Sequence, residues 1–222
     1  MTFRATEETI TGLRALWSLS EDALVETNST TDRLVLLSRW GEEAIEDRDG
    51  VLDGLLKRMG MGPIALAHAV PPDASTAPLA AALDRIGHCV VRSLGSRHNG
   101  DLVLSVAPTH RDSRLRIEPV RPTTTVRLSR FAAMRACAGV MRLESPLAQH
   151  RVELHDPLAV WVAGSVSTPT TVAQLTRRVH GDHAAVADIV AYLVAARMML
   201  SAGEVAPGAA RFAEDDDPDL MY

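Results

Sequence analysis

The chain has 222 residues, 46% of them hydrophobic and 23% charged, which excludes a disordered or fibrous protein. The net charge of −5 comes from five acids near the end of the chain, Glu214, Asp215, Asp216, Asp217 and Asp219. The remainder is charge-balanced and lacks the basic block that nucleic acids or anionic membranes require.

The length and the absence of long apolar runs set further expectations. A chain of this size favours two small cores over one. No apolar run approaches the roughly 18 residues of a membrane span, so we expect no membrane segment and a cytoplasmic location. Cys89 and Cys137 stand far apart, outside any metal-binding or redox spacing, and are expected to be reduced thiols.

The first part of the chain predicts a strand meander followed by helices. The predicted strands are 14–20, 23–28 and 33–37, with turn residues around 28–32 and an Arg39-Trp40-Gly41 turn after the third strand. Apolar residues at helical spacing then predict helices over 51–59, 63–70 and 77–86, with Asp49 and either Ser75 or Thr76 as N-caps.

Two apolar runs, 89–94 and 102–106, flank Asn99-Gly100, and this dipeptide is a strong hairpin signal. Three strands, three helices and a terminal hairpin resemble a winged-helix unit over 1–107. Residues 108–124 contain several prolines and arginines without helical periodicity, and they are predicted to form a linker.

The same order of elements then begins again. The predicted strands are 125–134, 140–145 and 151–155, with a turn at Ala138-Gly139. The predicted helices begin at Asp156-Pro157, at Thr170 or Thr171, and after Gly181-Asp182, the last of them reaching about Leu200.

These elements predict an α+β fold of two tandem winged-helix-like units, each with a three-stranded antiparallel sheet and three helices. The second unit spans 125–201. Residues 202–222 are rich in Ala, Gly, Pro and acids, and they are predicted to form an acidic flexible tail or tether.

Few residues suggest chemistry. The run His180-Gly181-Asp182-His183 contains metal-ligand types, but it lies between two predicted helices and favours capping. Asp156 next to His155 is likewise expected to cap a helix. With no phosphate-binding loop, dinucleotide fingerprint or nucleophile elbow, the sequence predicts no catalytic, metal or cofactor site in this chain.

The third helix of a winged-helix unit would read a DNA groove, and this tests a regulatory function. In 183–200 the only long polar reader is Arg197, among Ala, Val, Ile, Leu and Met. Base readout and phosphate binding need several polar and basic side chains, so we expect no nucleic-acid partner.

A helix that is apolar on more than one face needs a second partner, and an adjacent strand edge can take an extended peptide. The predicted groove lies between the strand residues Arg151, Val152, Glu153 and Leu154 and the helix residues Ala187, Val190, Ala191 and Val194. The alternative is that both elements are buried against another domain.

Four segments resemble the region ahead of the flavin domain in SagB-type azoline dehydrogenases, which are similar to the cyanobactin oxidases and McbC-type oxidases. They are VRLSRFA at 126–132, LESPL at 143–147, HRVELHDP at 150–157 and TTVAQL at 170–175. The Arg39-Trp40-Gly41 turn also fits, and the resemblance covers about 12–205.

The resemblance also implies a function for the chain. Its members use FMN to oxidise azolines in ribosomal peptides, and their front region resembles a winged-helix element that binds a leader peptide by strand addition. It implies a leader-recognition and scaffolding role, a cyclodehydratase partner and a homodimeric full-length enzyme. FMN is expected in a flavin domain that would begin just after Tyr222, and no flavin-contacting position of the family has a counterpart here.

Two other functions remain as alternatives. The chain could be a winged-helix DNA-binding regulator, which salt-dependent duplex binding would reveal. It could also be a purely structural dimerisation region of the dehydrogenase.

Overall fold

The computed structural model describes residues 12–28, 33–45, 51–69, 76–202 and 210–212. The strands are β1 Arg14–Leu19, β2 Leu24–Asn28, β3 Arg33–Ser38, β4 Gly41–Ile45, β5 Val90–Gly95, β6 Leu102–Pro108, β7 Thr125–Leu128, β8 Ala133–Cys137, β9 Val140–Glu144, β10 His150–Leu154, β11 Thr170–Thr171 and β12 Met199–Ser201. The helices are α1 Val51–Met61, α2 Ala77–Arg85, α3 Pro157–Gly164, α4 Val172–Val179 and α5 His183–Ala195, with 3-10 turns at Leu66–His68 and Gly87–Cys89.

A single six-stranded sheet runs through both halves of the described chain, in the order β1-β5-β6-β10-β9-β8. All its neighbours are antiparallel, and the junction between the halves is the pairing of β6 with β10, from His150 opposite Pro108 to Leu154 opposite Leu104. The mixed α+β character is confirmed. The prediction of one separate three-stranded sheet for each half needs correction, because the hairpin strands bridge the halves.

Two three-stranded sheets accompany the large one, in the orders β2-β3-β4 and β11-β7-β12. The first three strands were expected to form a meander, but the meander consists of β2, β3 and β4, because β1 pairs with β5 instead. Gly41, with a φ of 108°, supplies the backbone conformation that the β3–β4 turn needs. The two remaining predicted turns are confirmed, with positive φ at Gly100 and at both Ala138 and Gly139.

Local side-chain chemistry starts the helices of the second half as predicted. The Asp156 carboxylate accepts from the Leu158 amide at 2.7 Å, ahead of Pro157 in the first turn. Thr171 and Gln174 form a capping box, and Asp182 accepts from the Ala185 amide at 2.9 Å. The predicted caps Asp49 and Ser75 lie outside the described residues.

α5 is shorter than predicted. It ends at Ala195, and Arg197 then adopts a positive φ of 58°, which turns the chain into β12. β12 pairs with β7, so residues assigned to the end of a helix complete a sheet instead.

The described apolar side chains form two buried clusters. The smaller combines Trp17 and Leu19 of β1 with the β2-β3-β4 sheet, α1 and α2, whereas the larger combines the centre of the large sheet with α3, α4 and α5. Residues 109–124 contain no helix or strand, yet Leu115, Ile117 and Val120 pack against the larger cluster. The limits 1–107, 108–124, 125–201 and 202–222 stay predictions.

Arg92 lies where the two clusters meet. Its guanidinium is 3.3 Å from the centroid of the Trp17 ring, a cation–π contact. It also hydrogen-bonds Tyr192 of α5, whose hydroxyl donates to the Ser93 carbonyl at 3.4 Å. One polar side chain thus connects the cluster around α1 with the cluster around α5.

Asp188 of α5 holds the start of β1. Its carboxylate accepts from the backbone amides of Gly12 and Leu13 at 3.0 and 2.9 Å, and its side chain is buried. A Cβ on Gly12 would come within 2.2 Å of the Ala185 nitrogen, so only glycine allows this approach. Burial raises the pKa of the Asp188 carboxyl from 3.8 to about 6, although both amide bonds oppose the rise.

Asp188 is therefore expected to contribute a pH-dependent term to stability. The folded protein binds the proton more tightly than the unfolded chain, so this stabilisation is present below pH 4 and is lost as the pH rises through about 6. The free energy of unfolding of the wild type, relative to Asp188→Asn, should fall by about 3 kcal/mol over this range. Urea titrations at several pH values measure the difference.

The exposed Asp84 of α2 provides the control. The difference between wild type and Asp84→Asn should not change with pH in the same way. A pH-independent difference for Asp188→Asn would contradict the assignment.

Candidate functional site

The groove predicted between β10 and α5 is closed in this structure. β10 is hydrogen-bonded on both sides, to β6 and to β9, and offers no open edge at Arg151, Val152, Glu153 or Leu154. The prediction of an edge open to a peptide at this strand is corrected, because β6 lies where the added strand was expected.

The helix side of the predicted groove is covered as well. Val190 and Ala191 are buried, and Ala187 and Val194 are partly buried against the larger cluster. The sequence contained a signal for this arrangement, namely that the 89–94 and 102–106 runs are too apolar for a hairpin exposed to solvent. That these residues bind a peptide remains a prediction.

His155 and Asp156, which the sequence offered as a possible catalytic pair, make contacts that support the fold. The His155 Nε2 atom lies 3.0 Å from the Ser105 hydroxyl, which accepts from the Ser93 hydroxyl at 2.9 Å. Burial lowers the pKa of His155. Asp156 is occupied as the cap of α3, so His155 and Asp156 do not form an acid–base pair.

Residues His180 to His183 likewise form the turn between α4 and α5. His180 takes a left-handed conformation with φ 52 at the end of α4, and His183 Nδ1 lies 3.2 Å from the Thr176 hydroxyl. The described ranges contain no group of three His, Cys, Asp or Glu side chains suited to a metal ion.

The large sheet has an unpaired edge at β8 in the part of the chain that the structure describes. Among the described strands, β8 pairs with β9 alone, and four of its five residues are exposed. The two-residue turn at Ala138-Gly139 makes Cys137 and Val140 a hydrogen-bonded pair. Because hydrogen-bonded pairs alternate along an antiparallel ladder, the backbone groups of Arg135 and Ala133 also bond to β9. Those of Met134 and Ala136 point away from β9, towards the open edge. This edge was not predicted as a site.

Charged side chains form a ladder on one face of β8, β9 and β10. Arg142 contacts Glu153 at 2.8 Å and Glu144 at 4.0 Å. Arg135 pairs with Glu144, and Arg151 lies 3.7 Å from Glu153. Three arginines thus share two glutamates, which leaves the ladder with a net positive charge.

A surface cavity of about 360 Å³ lies at the start of β8. Its lining includes Phe131, Ala133, Glu144, Ser145, His150 and Arg151. A second cavity of about 280 Å³ lies beside β1, with Leu16, Ile64 and His68 in its lining.

His150 is the unusual group of the first cavity. Only 7% of it is exposed, and it forms part of the cavity lining. Burial, assisted by the charge of Arg197, lowers the pKa of His150 to about 4, so the ring is neutral at physiological pH. A neutral imidazole offers one donor and one acceptor to whatever enters the cavity.

α5 is largely buried. Eight of its residues are buried, Ala185, Val186, Asp188, Ile189, Val190, Ala191, Tyr192 and Leu193. A recognition helix must present polar side chains to the groove, so this burial argues against a DNA-reading role for α5.

Within the described ranges, none of the helices has the length and hydrophobicity to cross a bilayer.

Amide hydrogen exchange should separate the closed edge from the open one. We expect the Arg151 and Glu153 amides, which bond to β6, to exchange at least about a hundredfold more slowly than those of Met134 and Ala136, because only the former are paired. The Arg135 amide is a control within β8, since it bonds to β9 and should be protected. Fast exchange at Glu153 would show that the β6 side of β10 opens.

Substitution of Val190 by Asp should act on folding rather than on a surface. Val190 is fully buried, so an unpaired carboxylate there should lower the free energy of unfolding by about 4 kcal/mol or more. Leu24→Asp, at a residue that is 62% exposed, is the matched control and should cost less than about 1 kcal/mol. Thermal unfolding of both variants tests this, and a stable Val190→Asp protein would contradict the burial.

Comparison with known protein families gives a match to the second half of the chain. No curated protein matches the chain. Residues 126–222, somewhat under half of the chain, match the family model described as cyanobactin oxidase ThcOx. This segment contains the open strand β8, the cavity with His150 and helices α3 to α5. The second half of the chain is thus similar to cyanobactin oxidases, in support of the dehydrogenase family suggested by its sequence segments.

Proposed function

We propose that the chain is the leader-recognising and scaffolding portion of an FMN-dependent thiazoline/oxazoline dehydrogenase of the SagB type. The observation that carries this proposal is the match of residues 126–222 to the cyanobactin oxidase family. The absence of an acid–base pair at His155 and Asp156 fits a role in binding rather than in chemistry.

The element order of the second half supports a winged-helix-like unit in this proposal. Helix α3, strand β11, helices α4 and α5 and strand β12 follow one another, and β7 lies between β11 and β12 in a small antiparallel sheet. Three helices against a three-stranded sheet are the parts of a winged helix, here with the central strand contributed from upstream.

The position of β6 supports strand addition as the mode of recognition. It lies antiparallel to β10, and its Leu104 and Val106 belong to the same buried cluster as α5. An extended segment of the chain itself therefore lies beside β10, where the sequence predicted an added peptide strand, and its apolar side chains share a core with α5.

FMN does not fit the described residues. The two cavities, of about 280 and 360 Å³, lie at the small end of the roughly 300–1,000 Å³ typical of cofactor sites. Neither has an α-helix N-terminus in its lining to bind a phosphate. We propose that FMN is bound by residues other than those described and derive no chemical step through it.

The remaining partners are proposals from the same family resemblance. A cyclodehydratase would supply the azoline-containing peptide, and the full enzyme would act as a homodimer. A purely structural role in that dimer is the second candidate, and the extensive burial of α5 favours it over DNA binding.

Calorimetry with synthetic leader peptides from precursor genes adjacent to this gene tests the proposal. We expect binding in the micromolar range or tighter for a cognate leader and none for a scrambled leader. A 20-base-pair DNA duplex is the control for the regulator alternative and should not bind at low salt. Failure of all adjacent leaders to bind, with the fold intact by circular dichroism, would favour the structural role.

A further inference from the structure

The geometry points to a peptide-docking site at the β8 edge of the large sheet, two strands from the strand expected to bind a peptide. We propose that the outer edge of β8 and the cavity containing His150, together called the β8 site, bind an extended peptide segment carrying an acidic side chain. The inference rests on the proposed function only in taking a peptide as the partner.

The backbone of β8 supplies the first element of the site. Met134 and Ala136 direct their amide and carbonyl groups away from β9, and in the described chain no backbone hydrogen bond reaches them. An unpaired edge of this kind accepts an extended chain by backbone hydrogen bonds alone. The exposed Met134 side chain, 38% accessible, adds an apolar contact beside the edge.

The cavity supplies the second element. Ala133 belongs both to β8 and to the cavity lining, so a strand added along β8 runs directly towards His150. Three residues of extended chain span about 10 Å, and a segment of six or seven residues therefore covers both the edge and the cavity. The buried His150 ring lies in the cavity lining and provides a donor for the incoming side chain.

Charge selects the kind of side chain. The ladder on β8, β9 and β10 has three arginines and two glutamates, and Arg197 adds a positive charge near His150. The lining contains both Arg151 and Glu144, and Glu144 is engaged by Arg135 and Arg142. A carboxylate entering the cavity would therefore meet Arg151 and the excess positive charge of the ladder. A lysine would meet net repulsion, so the site discriminates by the sign of the charge.

A second copy of the chain fits less well than a peptide. In an antiparallel pair of β8 strands centred on Arg135, the two Arg135 side chains lie opposite each other, which is unfavourable. Arginine on an exposed edge is one of the ways in which proteins prevent edge-to-edge association.

The test uses synthetic heptapeptides of alternating Thr and Val, acetylated and amidated, with one Glu moved through the seven positions. Nitrogen-15 NMR titration of the whole chain should show shifts at Met134, Ala136 and His150. The best Glu peptide should bind about tenfold more tightly than its Gln counterpart, and the Lys counterpart should not bind.

Two changes test the mode of binding separately. N-methylation of the peptide amides that face β8 should weaken binding about tenfold, whereas methylation of the alternate amides should not. In the protein, Ala136→Pro removes an outward donor at an edge position that tolerates proline, and should weaken binding to a similar degree. His150→Phe should remove the preference for Glu over Gln.

Several outcomes would overturn the proposal. They are the absence of binding at millimolar peptide, shifts confined to another strand such as β4, equal binding of Glu and Lys peptides, or dimerisation through β8. A cognate leader that binds in calorimetry but shifts residues elsewhere would refute the β8 site and leave the proposed function standing. The N-methylated peptides keep the test valid if Ala136→Pro fails to fold.

Discussion

The antiparallel pairing of β6 with β10 is the interaction on which the rest of the structure depends. It joins a hairpin from the first half of the sequence to a meander from the second, so six strands form one sheet. Both buried clusters include residues from this sheet, and α3 and α5 share the larger cluster with its central strands. Each half contributes part of the other's support, and the halves are not independent packing units.

The same pairing determines which surfaces can serve function. Because β6 pairs with one side of β10, β10 has no free edge there, and the unpaired edge of the sheet is at β8, two strands away. The helix expected to line a groove becomes part of the interior, where Tyr192 and Asp188 make contacts with the first half. The surface available to a partner is consequently a strand edge beside a charged ladder and a small cavity.

Local features were predictable from sequence and long-range ones were not. The caps at Asp156, Thr171 and Asp182 depend on residues within a few positions of one another, and so does the hairpin at Gly100. The placement of β1 beside β5, and of β6 beside β10, joins segments whose alternation is equally compatible with other partners. The cavity is built from residues between Thr109 and Arg151 that come together only through that pairing.

The attachment of Gly12 and Leu13 to Asp188 has a consequence for how the protein is made. The Leu13 amide and its acceptor are 175 residues apart in sequence, so this bond forms only after α5 has been synthesised. Strand β6 likewise emerges from the ribosome well before β10, and its edge has no native neighbour during that interval. Pairings of such separation slow folding, and an unpaired strand edge favours aggregation until its partner strand has been made.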